Sequence, residues 1–178
     1  LLIYAMKTIT YQSDYLGNGF EFATINQPDD YEGKVVATVI RKQCSMPSNK
    51  AVLYVHGFND YFFQSDMAHR FNEKEYHFYA IDLRKYGRST LPHHKSNNMR
   101  SLTEYFADLD EALEIIRQEG NEQVLLSGHS TGGLLVTLYA SERVGNEKFD
   151  TIFCNSPFYD MNMPGYQKRL LVPLVALF

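Results

Sequence analysis

Four short apolar runs mark the sequence from residue 50 onward, and helical stretches separate them. The runs are Ala51-Val52-Leu53-Tyr54-Val55, Tyr76 to Leu83 around Phe78-Tyr79-Ala80-Ile81, Gln123 to Ser127 around Val124-Leu125-Leu126, and Phe149 to Asn155 around Thr151-Ile152-Phe153-Cys154. A continuous apolar run of this length, bounded by turn residues, suits a strand covered on both faces, as in a parallel sheet. Residues 65–74 read as a helix. So do residues 102–119, where Leu102, Phe106, Leu109, Leu113 and Ile116 recur at helical spacing, with Ser101 or Thr103 as cap and Gly120 as stop. Residues 132–143 carry Leu134, Leu135, Leu138 and Tyr139 on one side. Strands that alternate with helices need crossover connections. The predicted fold is therefore α/β, a three-layer α/β/α sandwich with a mostly parallel, doubly wound sheet.

The first forty residues follow a different pattern. Gly17, Gly19, Pro28, Asp29, Asp30 and Gly33 make turns, and strand-like pieces lie near 7–12, 19–25 and 35–41. These predict antiparallel hairpins at one edge of the sheet. A length of 178 residues fits one domain, and a net charge of -4 argues against a nucleic-acid binder. Cys44 and Cys154 make no disulfide framework and predict reduced thiols in a cytoplasmic protein. No apolar run approaches the roughly 20 residues of a spanning helix, so no stable membrane anchor is expected. The start, Leu1 to Ala5, lacks the basic flank of a signal peptide, and Met6-Lys7 reads as a natural start. In residues 102–119, Glu104, Asp108, Asp110, Glu111, Glu114 and Glu119 stand against a single Arg117, which predicts a solvated outer face, with an acidic binding face as the alternative.

The sharpest chemical signal is Gly128-His129-Ser130-Thr131-Gly132, followed by Gly133. An apolar strand runs into it and an apolar helix leaves it, the setting of a nucleophile elbow. In such a turn a serine is held in strained backbone geometry at the carboxyl end of a sheet, above a helix N-terminus that favours developing negative charge. His129 adjoins the serine but points elsewhere from so tight a turn. A second signal, His56-Gly57-Phe58-Asn59-Asp60, ends the strand 51–55. Acyl transfer places negative charge on a carbonyl oxygen, which two fixed N–H donors can stabilise. The amides of Thr131 and Phe58 are the predicted oxyanion donors. No partner at metal-ligand spacing accompanies His56, so no metal and no cofactor are expected.

Three segments together resemble the α/β-hydrolase superfamily: His56-Gly57-Phe58, the stretch Asp82-Leu83-Arg84-Lys85-Tyr86-Gly87-Arg88-Ser89, and Gly128 to Gly133. Within it, the chain is most similar to the lysophospholipase and monoacylglycerol-lipase group. The middle segment matches that group's D-x-R-G-x-G-x-S loop through Asp82, Arg84, Gly87 and Ser89. Lys85-Tyr86 replaces the usual Gly-first pair, a departure expected to matter little. The resemblance covers about residues 20–160. It implies a serine hydrolase that cleaves a carboxylic ester of a small molecule or lipid through an acyl-serine, with Ser130 as nucleophile. His56, Gly57, Gly128, Gly132, Asp82, Arg84 and Gly87 would be structural parts of its motifs.

In that family the order is Ser, then Asp, then His. No histidine follows Ser130, and of the later acids only Asp160 follows a strand end. The expectation is that residues 1–160 are the N-terminal portion of a hydrolase core. Residues 161–178, with the apolar end Leu170 to Phe178, would open a cap over the substrate, and the triad acid and base would lie outside this chain. Two rival expectations are a catalytically inactive hydrolase-fold binding module and a rearranged site served by His93-His94. Phe62-Phe63 and Phe158-Tyr159 are predicted either to line an acyl pocket or to pack in the core. The sequence does not set an oligomeric state.

Overall fold

A computed structural model describes residues 9–145, 148–167 and 169. The strands are β1 (Gln12–Ser13), β2 (Glu21–Asp30), β3 (Gly33–Lys42), β4 (Lys50–Val55), β5 (His77–Asp82), β6 (Gln123–His129) and β7 (Thr151–Asn155). They form one sheet in the order β1-β2-β3-β5-β4-β6-β7. β5, β4, β6 and β7 run parallel, and β1, β2 and β3 form an antiparallel meander beside β5. The parallel block and the hairpin edge both follow the sequence pattern. The helices α1 (Ser65–Glu73), α2 (Phe106–Gln118) and α3 (Thr131–Glu142) supply the crossovers.

Side-chain alternation along the strands divides the core in two. Val52, Tyr54, Phe78 and Ala80 point to the α1 side, with Phe20, Phe62 and Ala68. Leu53, Val55, Tyr79 and Ile81 point to the other side, where they meet Leu109, Leu113 and Ile116 of α2 and Leu135, Val136 and Tyr139 of α3. Each of the Val, Leu, Ile and Phe side chains among them contributes about 1.5–3 kcal/mol by leaving water. A three-layer α/β/α arrangement results. β7 lies at the end of the sheet order, and its exposure alternates, with Phe153 half exposed.

Ser101 caps the helical segment that begins with a 3₁₀ turn at Leu102–Tyr105 and continues as α2. Its Oγ accepts from the Thr103 N–H at 3.2 Å, while the Glu104 carboxylate accepts from the Ser101 N–H at 3.2 Å. The expected solvated acidic face needs correction. Asp108 is fully buried and paired with Arg84, Glu119 is engaged with Arg41, and Asp110 and Glu114 pair with Arg143 and Lys148. The reason is reach: cations on distant segments fold over these carboxylates, which helical periodicity alone cannot register. Residues 1–8 and the apolar segment 170–178 lie outside the described residues, so the expectations about the chain start and about the apolar end of the cap segment 161–178 fall there.

Candidate active site

β6 ends at His129 and α3 begins at Thr131, so Ser130 makes the whole connection. Its backbone sits at φ 54 and ψ -121, a left-handed value for a residue with a side chain. Such a conformation persists only when its surroundings over-determine it. The Ser130 N–H donates to the Asn155 carbonyl at 3.1 Å, and the Ser130 carbonyl accepts from Gly133 at 2.9 Å and from Phe158 at 2.9 Å. The segment after β7 thus braces the turn from one side. The glycines allow close approach on the other. A Cβ on Gly128 would lie 2.7 Å from Gly133 N, and one on Gly132 would meet the Val55 and His56 carbonyls. Gly57 approaches the serine itself, since a Cβ there would lie 3.2 Å from Ser130 Cβ. The strand-to-helix turn with unusual backbone dihedrals at Ser130, expected from the glycine spacing, is present. Asn155 and Phe158 were not legible as its supports, because they act through their backbones.

His56 closes the end of β4. It is buried, its Nδ1–H donates to the Gly57 carbonyl at 2.8 Å, and its Nε2 accepts from the Leu83 N–H at 3.2 Å. Burial holds its pKa below the usual imidazole value. With both ring nitrogens engaged and the ring neutral, His56 fixes the loop after β4 to the loop after β5. It is not free to act as a base.

A cavity of about 30 Å³ lies between Gly57-Phe58 and Thr131-Gly132, walled by Leu83, Tyr86, Met99, Leu102, Tyr105 and Leu135. That is room for one or two waters. Neither the Phe58 nor the Thr131 N–H donates to any described residue, and both residues border this cavity. The Phe58 side chain is 59% exposed. Among the described residues, none hydrogen-bonds Ser130 Oγ.

The loop after β5 supports this arrangement from behind. Asp82 is buried, with Oδ1 accepting from the Phe62 N–H at 2.9 Å and Oδ2 from the Arg88 N–H at 2.9 Å. Arg84 Nε and Nη2 reach Asp108 Oδ1 at 3.1 Å and 2.7 Å, tying the loop to α2. At Gly87 a Cβ would lie 2.6 Å from Tyr61 Cβ. Lys85, expected to matter little, is a structural member instead. It takes φ 65, and its buried Nζ lies 2.6 Å from Asp30 Oδ2 and 2.7 Å from Glu32 Oε2. A lysine here accepts a conformation that favours glycine and uses it to clamp the β2–β3 turn.

The other histidines do not reach the serine. His93 and His94 Nε2 both donate to the Lys34 carbonyl, at 3.0 Å and 2.9 Å, and His129 Nδ1 donates to the Asn155 carbonyl at 3.2 Å. The rearranged site served by His93-His94 is therefore not formed. Asp160 is exposed and accepts from the Met161 N–H at 2.7 Å. Phe62 is wholly in the α1-side core, whereas Phe63, Phe158 and Tyr159 are 51%, 41% and 56% exposed. Among the described residues no group of His, Cys, Asp and Glu could hold a metal ion, and no helix is long and apolar enough to cross a membrane.

Comparison with solved structures gives the same fold at low identity. The α/β hydrolase GrgF from Penicillium sp. sh18 superposes with a TM-score of 0.65 at 16% identity, over 88% of this chain and 53% of that one. A thermostable carboxyl esterase from Bacillus coagulans, in complex with glycerol, gives 0.65 at 16% identity, over 88% and 49%. A soluble variant of monoglyceride lipase from Saccharomyces cerevisiae, in complex with a substrate analog, gives 0.59 at 18% identity, over 97% and 54%. The chain thus spans about half the length of these structures. No curated protein is significantly similar to it in sequence. Residues 46–178, well over half of the sequence, match the family described as Serine aminopeptidase, S33, and the chain belongs to that family of α/β hydrolases.

Proposed function

We propose that Ser130 is the nucleophile of a serine hydrolase that cleaves a carboxylic ester through an acyl-serine intermediate. One observation carries this reading. Ser130 lies in a strained strand-to-helix turn that Gly57 approaches closely, and Phe58 and Thr131, which follow Gly57 and Ser130 and border one small cavity, carry backbone N–H groups that donate to no described residue. Unused donors beside a strained hydroxyl have little structural purpose but suit an oxyanion.

In this reading Ser130 Oγ attacks the ester carbonyl carbon. A general base takes the hydroxyl proton, and the Phe58 and Thr131 amides hold the carbonyl oxygen as it becomes negative, helped by the N-terminus of α3. The tetrahedral intermediate collapses and expels the alcohol, which leaves with the proton. Water then attacks the acyl-serine by the same route and releases the acid. The base and its orienting acid are assigned to polypeptide outside residues 1–178. In support, no described side chain bonds Ser130 Oγ, and His56, His93, His94 and His129 are committed elsewhere. We assign a small-molecule or lipid ester as substrate, by analogy with the esterase and monoglyceride lipase that share the fold. The two free thiols suit a cytoplasmic location.

The test compares residues 1–178 with a chain extended to the length of the related structures. Both are assayed on p-nitrophenyl butyrate, a monoacylglycerol and an amino-acid p-nitroanilide. The short chain should be nearly inert. The extended chain should hydrolyse the esters, and Ser130→Ala should lower kcat on the order of 10⁶-fold. An extended chain that binds the ester without turnover would support a binding module instead. Preference for the anilide would move the substrate from ester to peptide.

A further inference from the structure

The loop between β4 and α1 carries the Phe58 amide, and the paired side chains of Asp82 and Arg88 hold the far end of that loop. Phe62 is fixed through both backbone groups: its N–H donates to Asp82 Oδ1 at 2.9 Å, and its carbonyl accepts from Arg88 Nη1 at 3.0 Å. Arg88 Nη1 also donates to Asp82 Oδ2 at 2.8 Å. Its Nε and Nη2 grip Asp14 at 2.7 Å and 3.0 Å. The Arg88 side chain is 10% exposed, those of Asp14 and Asp82 are 1% and 0% exposed, and the Tyr15 ring lies 4.4 Å from the guanidinium. Burial alone would lower the arginine's pKa, but Asp14 and Asp82 outweigh it and hold the cation firmly charged.

This fork spans three segments: the turn before β2, the loop after β4 and the loop after β5. With His56 clamped at the other end and Asn59 Oδ1 accepting from Asn97 Nδ2 at 3.1 Å in the middle, loop 56–62 is anchored at both ends and between. A lysine could not reproduce the pattern, because it offers one compact ammonium where Arg88 directs separate donors at Asp14, Asp82 and Phe62.

We propose that Arg88 is a positioning residue that sets the Phe58 amide for oxyanion stabilisation, an inference that rests on reading that amide as an oxyanion donor. Arg88 is too deeply engaged with Asp14 and Asp82 to contact substrate. It acts through the Phe62 backbone. A donor displaced by about 1 Å can cost on the order of 100-fold in rate, and the loss falls on kcat because the negative charge is absent from the bound ester and develops on the way to the tetrahedral intermediate.

A matched control exists. Arg41 is 17% exposed, reaches Glu21 and Glu119 at 2.9 Å each, and packs under the Tyr11 ring, yet it touches no residue of loop 56–62. The experiment has two arms. Hydrogen–deuterium exchange on residues 1–178 compares Arg88→Met, Arg88→Lys and Arg41→Met. Steady-state kinetics compares the same variants in the chain length that hydrolyses ester.

Arg88→Met should speed exchange in the 57–63 peptide about 10-fold and lower kcat about 30-fold, with KM within about threefold. Arg88→Lys should fall between it and the unaltered chain. Arg41→Met should leave the 57–63 peptide and kcat within about threefold of the unaltered chain. Equal kcat losses for Arg88→Met and Arg41→Met, or unchanged exchange at 57–63 in both Arg88 variants, would overturn the proposal. If the extended chain shows no Ser130-dependent turnover, the functional reading fails by itself and the exchange arm still decides whether Arg88 sets the loop. Should Arg88→Met not fold, Arg88→Lys alone carries both arms.

Discussion

The two ends of the parallel strands each hold an arginine between two carboxylates with a tyrosine ring over it, yet the two clusters do different things. Toward the amino end, Arg41 joins Glu21 and Glu119 under Tyr11. Glu119 also accepts from Tyr11 Oη at 2.7 Å and Tyr79 Oη at 2.5 Å, and Tyr79 Oη accepts from Asn121 at 3.3 Å. The groups there are spent on one another. At the carboxyl end, Arg88 and Asp82 direct hydrogen bonds onto the backbone of Phe62, and the Phe58 and Thr131 N–H groups have no acceptor among the described residues. The amino-end cluster fastens β2, β3, β5 and α2 together. The carboxyl-end cluster frames something else. Similar ion-pair chemistry closes on itself at one end, whereas at the other its last hydrogen bond reaches a loop backbone.

Glycine substitution should separate the two ends most strongly. Gly132→Ala drives a methyl into the Val55 and His56 carbonyls, where neither backbone can yield. A loss of about 3 kcal/mol in urea unfolding and at least about 100-fold in kcat is expected. Gly120, at the amino end after α2, has φ 88 and nothing within 4 Å of an added Cβ. Gly120→Ala should cost only about 1–2 kcal/mol, from backbone strain, and leave kcat unchanged. Equal costs would remove the distinction between crowded and merely twisted glycines.

Acid should loosen the carboxyl end first. Burial lowers the His56 pKa, so below about pH 6.5 the unfolded chain binds a proton that the folded chain resists. The stabilisation from His56 is complete above that pH and is lost as the pH falls, with a slope of at most about 1.4 kcal/mol per pH unit. At the amino end, burial and then Glu119 raise the Tyr79 pKa, so its contribution is lost only on the alkaline side, above about pH 10. Urea unfolding at steps between pH 5 and pH 7.5 should show the acid slope, and His56→Gln should flatten it. A slope that survives His56→Gln would assign it elsewhere.

The smallest expected difference concerns Lys85. Lys85→Met loses the ion pairs with Asp30 and Glu32 and keeps the left-handed backbone, whereas Lys85→Gly loses the same pairs but relaxes φ 65. The glycine variant should be the more stable by about 1 kcal/mol in chemical unfolding. If the methionine variant is equal or better, the side-chain stem rather than the backbone governs that position.

Much of this architecture was readable before any coordinates. Apolar runs located β4 to β7 within a residue or two, because strands buried on both faces leave a continuous signal. The Gly128-His129-Ser130-Thr131-Gly132 turn was readable because close backbone approach needs glycine. What could not be read depends on partners far apart in sequence. Asp14 meets Arg88 across 74 positions, and Asp30 and Glu32 meet Lys85 across more than 50. Asp108 sits in an acidic stretch that looks solvated until Arg84 is folded against it. Asn155 and Phe158 hold Ser130 through main-chain atoms, which no side-chain pattern encodes.

Covalent trapping decides whether Ser130 is an activatable nucleophile. The extended chain is treated with a fluorophosphonate, then measured by intact mass and peptide mapping. One adduct per chain is expected on the peptide containing Ser130, absent in Ser130→Ala and strongly slowed in Arg88→Met. An unmodified Ser130, or an adduct on another residue in a chain that hydrolyses ester, would contradict it.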